Sequence, residues 1–205
     1  TTLKSTQYGA FRNCNALTAV NITDLAKWCS IAFDHSDGNP LEFAHSLYVN
    51  GEKITDLVIP AGVTEIGLCT FIGGDFESIT IPGNVTFIDA MAFYNCKNAT
   101  NLDLSGSVWT ISDFAFYGCT GLTNVVIPEG VKNLGEYAFA YCSNLRSIYI
   151  PDSVTSIKSC SIVIEGAING SGFKSLVTGC PEDLVIFCEA DAKPSDWYNK
   201  WNYLD

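Results

Sequence analysis

The chain has 205 residues, 47% of them apolar, which is enough to bury a sizeable core and excludes a disordered polymer. Its 22 acidic against 11 basic residues give a net charge of −11, which excludes nucleic acid and anionic membrane surfaces as partners, because both require clustered Lys and Arg. No apolar run approaches the roughly 18–20 residues that span a bilayer, so no membrane insertion is expected, and residues 1–8 lack the basic and apolar regions of a signal peptide.

In chain order, the sequence opens inside a repeating unit. Leu3 and Thr6 fall in two columns of the repeat, and Ala10-Phe11-Arg12-Asn13-Cys14 with Leu17, Val20 and Ile22 extends a partial unit over residues 1–22. A unit entered partway suits a piece cut from a longer array. Residues 23–56 exceed what one unit needs and read as an insertion packed on the side of the fold. It contains a short helix, Leu25–Cys29, capped by Asp24. It also contains Leu47–Ile54, whose Asn50-Gly51 step signals a two-residue hairpin.

From residue 57 to 158 there are four full repeats and the start of another. Leu57-Val58-Ile59-Pro60, Ile79-Thr80-Ile81-Pro82, Leu102-Asp103-Leu104-Ser105, Val125-Val126-Ile127-Pro128 and Ile148-Tyr149-Ile150-Pro151 share an apolar–x–apolar–Pro pattern, with Ser105 as the one departure. Their third residues are spaced 22, 23, 23 and 23 apart. Val63, Val85, Val108, Val131 and Val154 keep step, as do Ile66, Ile88, Ile111, Leu134 and Ile157. So do Phe71, Phe93, Phe116 and Phe139, and then Cys96, Cys119 and Cys142. A single unit buries too little apolar surface to offset the entropy of ordering itself, so neighbouring units must stack.

Period-2 alternation makes each apolar–x–apolar segment a short strand, sending Val125 and Ile127 inward and Asn124 and Val126 outward. Pro ends the strand because it cannot donate to a ladder, and the Ala-Phe segment suits a 3₁₀ turn. The expected fold is a leucine-rich-repeat-like solenoid. Short parallel strands stack in one sheet with rungs ~4.8 Å apart, and irregular or 3₁₀ turns form the other side. Residues 159–183 read as an interrupted repeat, with Ile162-Val163-Ile164 and the Gly-rich 166–172 inserted and Val177 in the phenylalanine column. Residues 184–205, with Trp197, Tyr198 and Trp201, read as a closing cap, so that residues 1–205 form one solenoid domain.

The I-P-x-x-V-x-x-I stretches, together with Ala92–Cys96 and Ala115–Cys119, resemble the BspA-like subgroup of bacterial leucine-rich-repeat proteins. That resemblance implies a secreted or cell-surface protein of adhesive character that binds host proteins, including matrix proteins, and any export signal would already be gone from this chain.

The aligned cysteines have two readings. A metal site or reactive thiols would be functional, but zinc ligands usually come in close C-x₂-C pairs, which are absent. A small apolar residue filling a tight turn is the plainer reading. Cys180 with Cys188, or Cys29 with Cys69, are candidates for an isolated bridge, and nine cysteines leave at least one thiol unpaired. His35 and His45 carry no nucleophile motif around them. Asp34–Asn39 has the spacing of a partial calcium loop without its terminal bidentate acid, so an Asx-type turn is the plainer reading. No P-loop, G-x-S-x-G or H-E-x-x-H is present, and neither catalysis nor a cofactor or metal is expected.

The outward strand positions form the candidate ligand-binding face: Ser78, Thr80, Asn101, Asp103, Asn124, Val126, Ser147 and Tyr149, flanked by Asp56 and Val58. About six rungs make a sheet only ~25–30 Å long, a small interface. The expected function is a non-catalytic protein-binding module. One alternative is a structural spacer without a ligand, and another is a carbohydrate-binding domain using Trp28, Trp197, Tyr198 and Trp201.

Overall fold

The structure, a computed structural model, describes residues 3–158, 176–181 and 183–188. The chain winds into a parallel-strand solenoid of about seven turns stacked on one core. Thr6, Phe33, Ile66, Ile88, Ile111, Leu134 and Ile157 mark the same corner of successive turns.

Each turn contributes two extended segments rather than one. The apolar–x–apolar pairs form β2 (Val20–Ile22), β4 (Leu47–Val49), β6 (Asp56–Val58), β8 (Ser78–Ile81), β10 (Asn101–Leu104), β12 (Asn124–Val126), β14 (Ser147–Ile150) and β16 (Val185–Cys188). The second column forms β1 (Ser5–Thr6), β3 (Ala32–Phe33), β7 (Glu65–Ile66), β9 (Phe87–Ile88), β11 (Thr110–Ile111), β13 (Asn133–Leu134) and β15 (Ser156–Ile157). The single sheet expected from the sequence is therefore only half of the pairing. After the Pro turn the chain extends again for two residues, zipping β7-β9-β11-β13-β15 into a parallel ladder, and β1-β3 into another. Two residues are too few to show a period, which is why this ladder escapes a pattern reading. The first column itself divides into β2-β4, β6-β8-β10 and β12-β14-β16.

Residues 23–56 correct a second expectation. They do not sit beside the solenoid but make up the greater part of one of its turns, since β2 pairs in parallel with β4 and β1 with β3. The helix α1 (Leu25–Cys29), capped by the Asp24 side chain accepting from the Lys27 N–H, replaces the Pro turn. A second short helix, α2 (Leu41–Ala44), follows on the side where later turns carry Ala-Phe. The hairpin signal at Asn50-Gly51 is realised: β5 (Glu52–Lys53) folds back antiparallel on β4, with both turn residues at positive φ. Both short helices and the hairpin are enlargements of a turn, so Phe33 stands in the isoleucine column and is buried there.

The turn side is held by its own backbone ladder. Phe71, Phe93 and Phe116 donate their N–H to the carbonyls of Ala92, Ala115 and Ala138 in the following turn, each at 2.8 Å. Contacts of 3₁₀ type, such as Tyr94 N–H to Met91 and Cys96 N–H to Phe93, tighten the same stretch. Inside it the phenylalanines stack: ring centroids lie 5.4 Å apart for Phe71–Phe93, 5.1 Å for Phe93–Phe116 and 5.2 Å for Phe116–Phe139. All four rings are fully buried. Offset aromatic stacking adds to the area they remove from water, so this column is the spine of the fold.

Candidate binding surface

The strand alternation places the candidate residues as expected. Val125 and Ile127 are buried, while Asn124 and Val126 face solvent on β12. Parallel register then aligns Asp56, Ser78 and Asn101 in one outward row, and Val58, Thr80 and Asp103 in the next. On the other segment Asn124 aligns with Ser147 and Val126 with Tyr149. β10 and β12 are neighbours in the stack but share no ladder bonds, so the face is continuous while its strand pairing is interrupted there.

Side chains along the rows bond to their neighbours. The Ser78 hydroxyl donates to the Asp56 carboxylate, and the Ser147 hydroxyl to the Asn124 carbonyl oxygen at 2.7 Å. These bonds fix short side chains before any partner arrives, which lowers the entropy lost on binding. Among them stand two apolar groups, Val58 at 56% and Val126 at 63% exposure. The charges on the face, Asp56 and Asp103, are both negative.

The aligned cysteines serve the core. Cys96, Cys119, Cys142 and Cys180 donate their thiols to the carbonyls of Phe71, Phe93, Phe116 and Phe139 at 3.2–3.3 Å. A small side chain fits this step between turns, Gly74 holding the same position one turn earlier, and the thiol adds a weak donor. Cys14, Cys29, Cys69, Cys96, Cys119, Cys142 and Cys180 are all free thiols, so the Cys29–Cys69 bridge does not form. A bridge from Cys180 to Cys188 depends on a side chain outside the described residues. Burial pushes the Cys29 and Cys69 thiols up to about 12 and those of Cys96, Cys119 and Cys142 higher still. Because the thiolate is the reactive form, iodoacetamide at pH 8 should leave Cys96, Cys119 and Cys142 unmodified in the native protein and label them after denaturation, as read by peptide mass mapping.

The remaining polar candidates are consumed locally. The Asp34–Asn39 stretch forms a 3₁₀ turn at Ser36–Gly38, and its Asp37 carboxylate accepts from the Gly9 N–H, Arg12 and His35. Asn39, fully buried, accepts from the Leu41 N–H in an Asx turn and donates to the carbonyls of Cys69 and Thr70. Among the described residues no group of three or more His, Cys, Asp or Glu is arranged to hold a metal ion. His45 Nδ1 donates to the Gly73 carbonyl at 2.9 Å, beside a pocket of about 330 Å³ that Glu42, Asp75, Asn95 and Lys97 help to line. Burial pushes the Glu42 carboxyl up, whereas the Lys53 ammonium 2.6 Å away holds Asp75 down. No helix among the described residues is long and apolar enough to cross a membrane.

Two aromatic features complete the surface, one within the repeat and one outside it. Tyr94 and Tyr117 stack at 4.7 Å on the turn side, with Tyr141 leaning against Tyr117 at 4.9 Å. Trp109 stands exposed where the other turns have Thr64, Thr86, Lys132 and Thr155, and that break in a column was its only signal. Trp28, a sequence candidate for carbohydrate contact, is buried: its indole N–H donates to the Thr70 carbonyl at 3.0 Å and its ring packs on Phe33. Trp197, Tyr198 and Trp201 lie outside the described residues.

Comparison with known proteins places these features in context. The BspA type leucine rich repeat region matches residues 41–163 in six copies. In fold the chain is similar to a leucine rich cell surface protein of Faecalibacterium prausnitzii A2-165, with 22% identity and a TM-score of 0.63 over 95% of this chain and 53% of that one. It is similar to the pneumococcal vaccine antigen PcpA, with 17% identity and a TM-score of 0.61 over 98% of this chain and 51% of that one. A leucine rich repeat protein of T. pallidum aligns over 52% of each chain, with 24% identity and a TM-score of 0.50. The chain thus spans about half the length of these solved structures. No curated protein matches it.

Proposed function

The chain belongs to the BspA-type leucine-rich repeat family, and from that premise we propose that it is a non-catalytic, extracellular protein-binding module whose ligand lies on the outward faces of β6-β8-β10 and β12-β14. The observation that carries this reading is the pair of exposed valines, Val58 and Val126, set among hydroxyl and carboxamide groups already bonded along the rows. Apolar groups within a fixed polar rim are the anatomy of a protein interface. The description of the F. prausnitzii neighbour as a cell surface protein supports a location outside the cell.

Asp56 and Asp103, on a chain of net charge −11, favour a partner with a basic patch. An adhesive role toward host matrix proteins is the specific form of this reading. Its rival is a spacer that binds nothing. Solid-phase titration of the chain against a panel of immobilised matrix proteins separates the two. Saturable binding that weakens between 50 and 500 mM salt, on the order of tenfold, is expected. The absence of saturable binding to every member would favour the spacer.

A further inference from the structure

We infer that the flank around Trp109 is a second binding site, for a neutral oligosaccharide of pyranose units. Val108 is fully buried, so the chain alternation turns the neighbouring indole outward, where it is 64% exposed. The backbone beneath it is pinned on both sides. Its N–H donates to the Thr86 carbonyl at 2.8 Å, and its own carbonyl accepts from the N–H groups of Lys132 at 2.9 Å and Asn133 at 3.3 Å. Among the described residues the indole stacks on no other ring, so its face is available.

Beside it runs a groove of about 570 Å³ lined by Thr86, Phe87, Gly106, Ser107 and Thr110. A side chain at Gly106 would meet nothing within 4 Å, so the groove is open there. None of the lining residues is charged, and three of them carry hydroxyls. Thr110 Oγ1 accepts from the Asn133 amide at 3.2 Å and keeps its own O–H to donate.

A pyranose matches this set. One face of the ring is C–H groups, slightly positive beside the ring oxygens, which the negative face of an indole attracts while both lose water. The rim is hydroxyls, which hydroxyl and backbone partners satisfy in both directions. A nucleotide also stacks, but the lining offers no cation for its phosphate. Of the aromatic residues considered from the sequence for carbohydrate contact, Trp28 is buried, and Trp109 is a further candidate that the sequence reading did not include.

Isothermal titration calorimetry of the whole chain against cellohexaose, laminarihexaose, mannohexaose and xylohexaose tests this assignment. Saturable binding of at least one is expected, weakened at least about tenfold in Trp109→Ala and largely restored in Trp109→Tyr. Because the indole is exposed, Trp109→Ala should keep the melting temperature of the parent. The strand variant Val126→Glu should bind the same sugar unchanged, so this site and the strand face stand or fall separately. The assignment is overturned if no hexasaccharide binds, if Trp109→Ala binds as well as the parent, or if an anionic hyaluronan hexasaccharide binds equally well.

Discussion

Replacing Phe116 with alanine should lower the unfolding free energy by about 3–5 kcal/mol, the range for removing a buried aromatic ring. Phe116 lies between Phe93 and Phe139 at 5.1 and 5.2 Å and has no exposed surface, so its loss leaves a void walled by two rings. The backbone on that side is laced to the next turn through Phe116 N–H to Ala138, so the turns resist collapsing into the space. In a stack where each turn touches only its neighbours, the damage should also spread along the axis. Phe93→Ala combined with Phe116→Ala should therefore differ from the sum of the single changes by more than 0.5 kcal/mol or so. Guanidinium unfolding followed by far-UV circular dichroism reads both quantities. A single-variant loss below about 1 kcal/mol would show that the phenylalanine column is not the spine of the fold.

Gly135→Ala should cost about 2–3 kcal/mol, although the same change at a permissive site stabilises by ~0.4–1 kcal/mol. Gly135 opens the turn after β13, and its N–H donates to the Ile111 carbonyl at 2.7 Å. A methyl group there would run into the carbonyl carbon of Ser112 and the amide nitrogen of Asp113, which are backbone atoms of the preceding turn. Backbone cannot rotate away as a side chain can, so the two turns must separate. Gly62 is the internal control, since a methyl group there meets nothing within 4 Å. Gly62→Ala should be neutral or mildly stabilising, and equal thermal shifts for the two variants would contradict the close approach at Gly135.

The fold was legible in the sequence wherever a column repeats. The valine, isoleucine, phenylalanine and cysteine positions each face the core once per turn, so burial writes them into the period. What was not legible does not recur or carries no compositional mark. Residues 23–56 lost the Pro turn to a helix and gained a hairpin, which stretched the spacing from Thr6 to Phe33 and on to Ile66 beyond the usual interval. The turn side needs left-handed backbone at two places. One place is occupied by Asn13, Gly73, Asn95, Gly118, Tyr141 and Gly179, a Gly- and Asn-rich column that could have been read. The other is occupied by Gly9 and then by Cys69, Met91, Phe114 and Tyr137, where the bonds between turns impose the geometry on four residues with no preference for it.

The candidate site divides in the same way. The outward rows followed from alternation and parallel register, so they could be named residue by residue. The break in ladder pairing between β10 and β12, and the exposed ring of Trp109, are single events along the stack that periodicity averages away.

The central functional claim is that ligand recognition lies on the outward strand rows. Biolayer interferometry of the chain and of the double variant Asp103→Lys/Val126→Glu, against the matrix protein that the chain binds best, tests it most directly. The double variant should lose at least about tenfold in affinity while keeping its melting temperature, because both side chains point into solvent. Unchanged affinity in that variant, or a loss produced instead by Trp109→Ala, would contradict it.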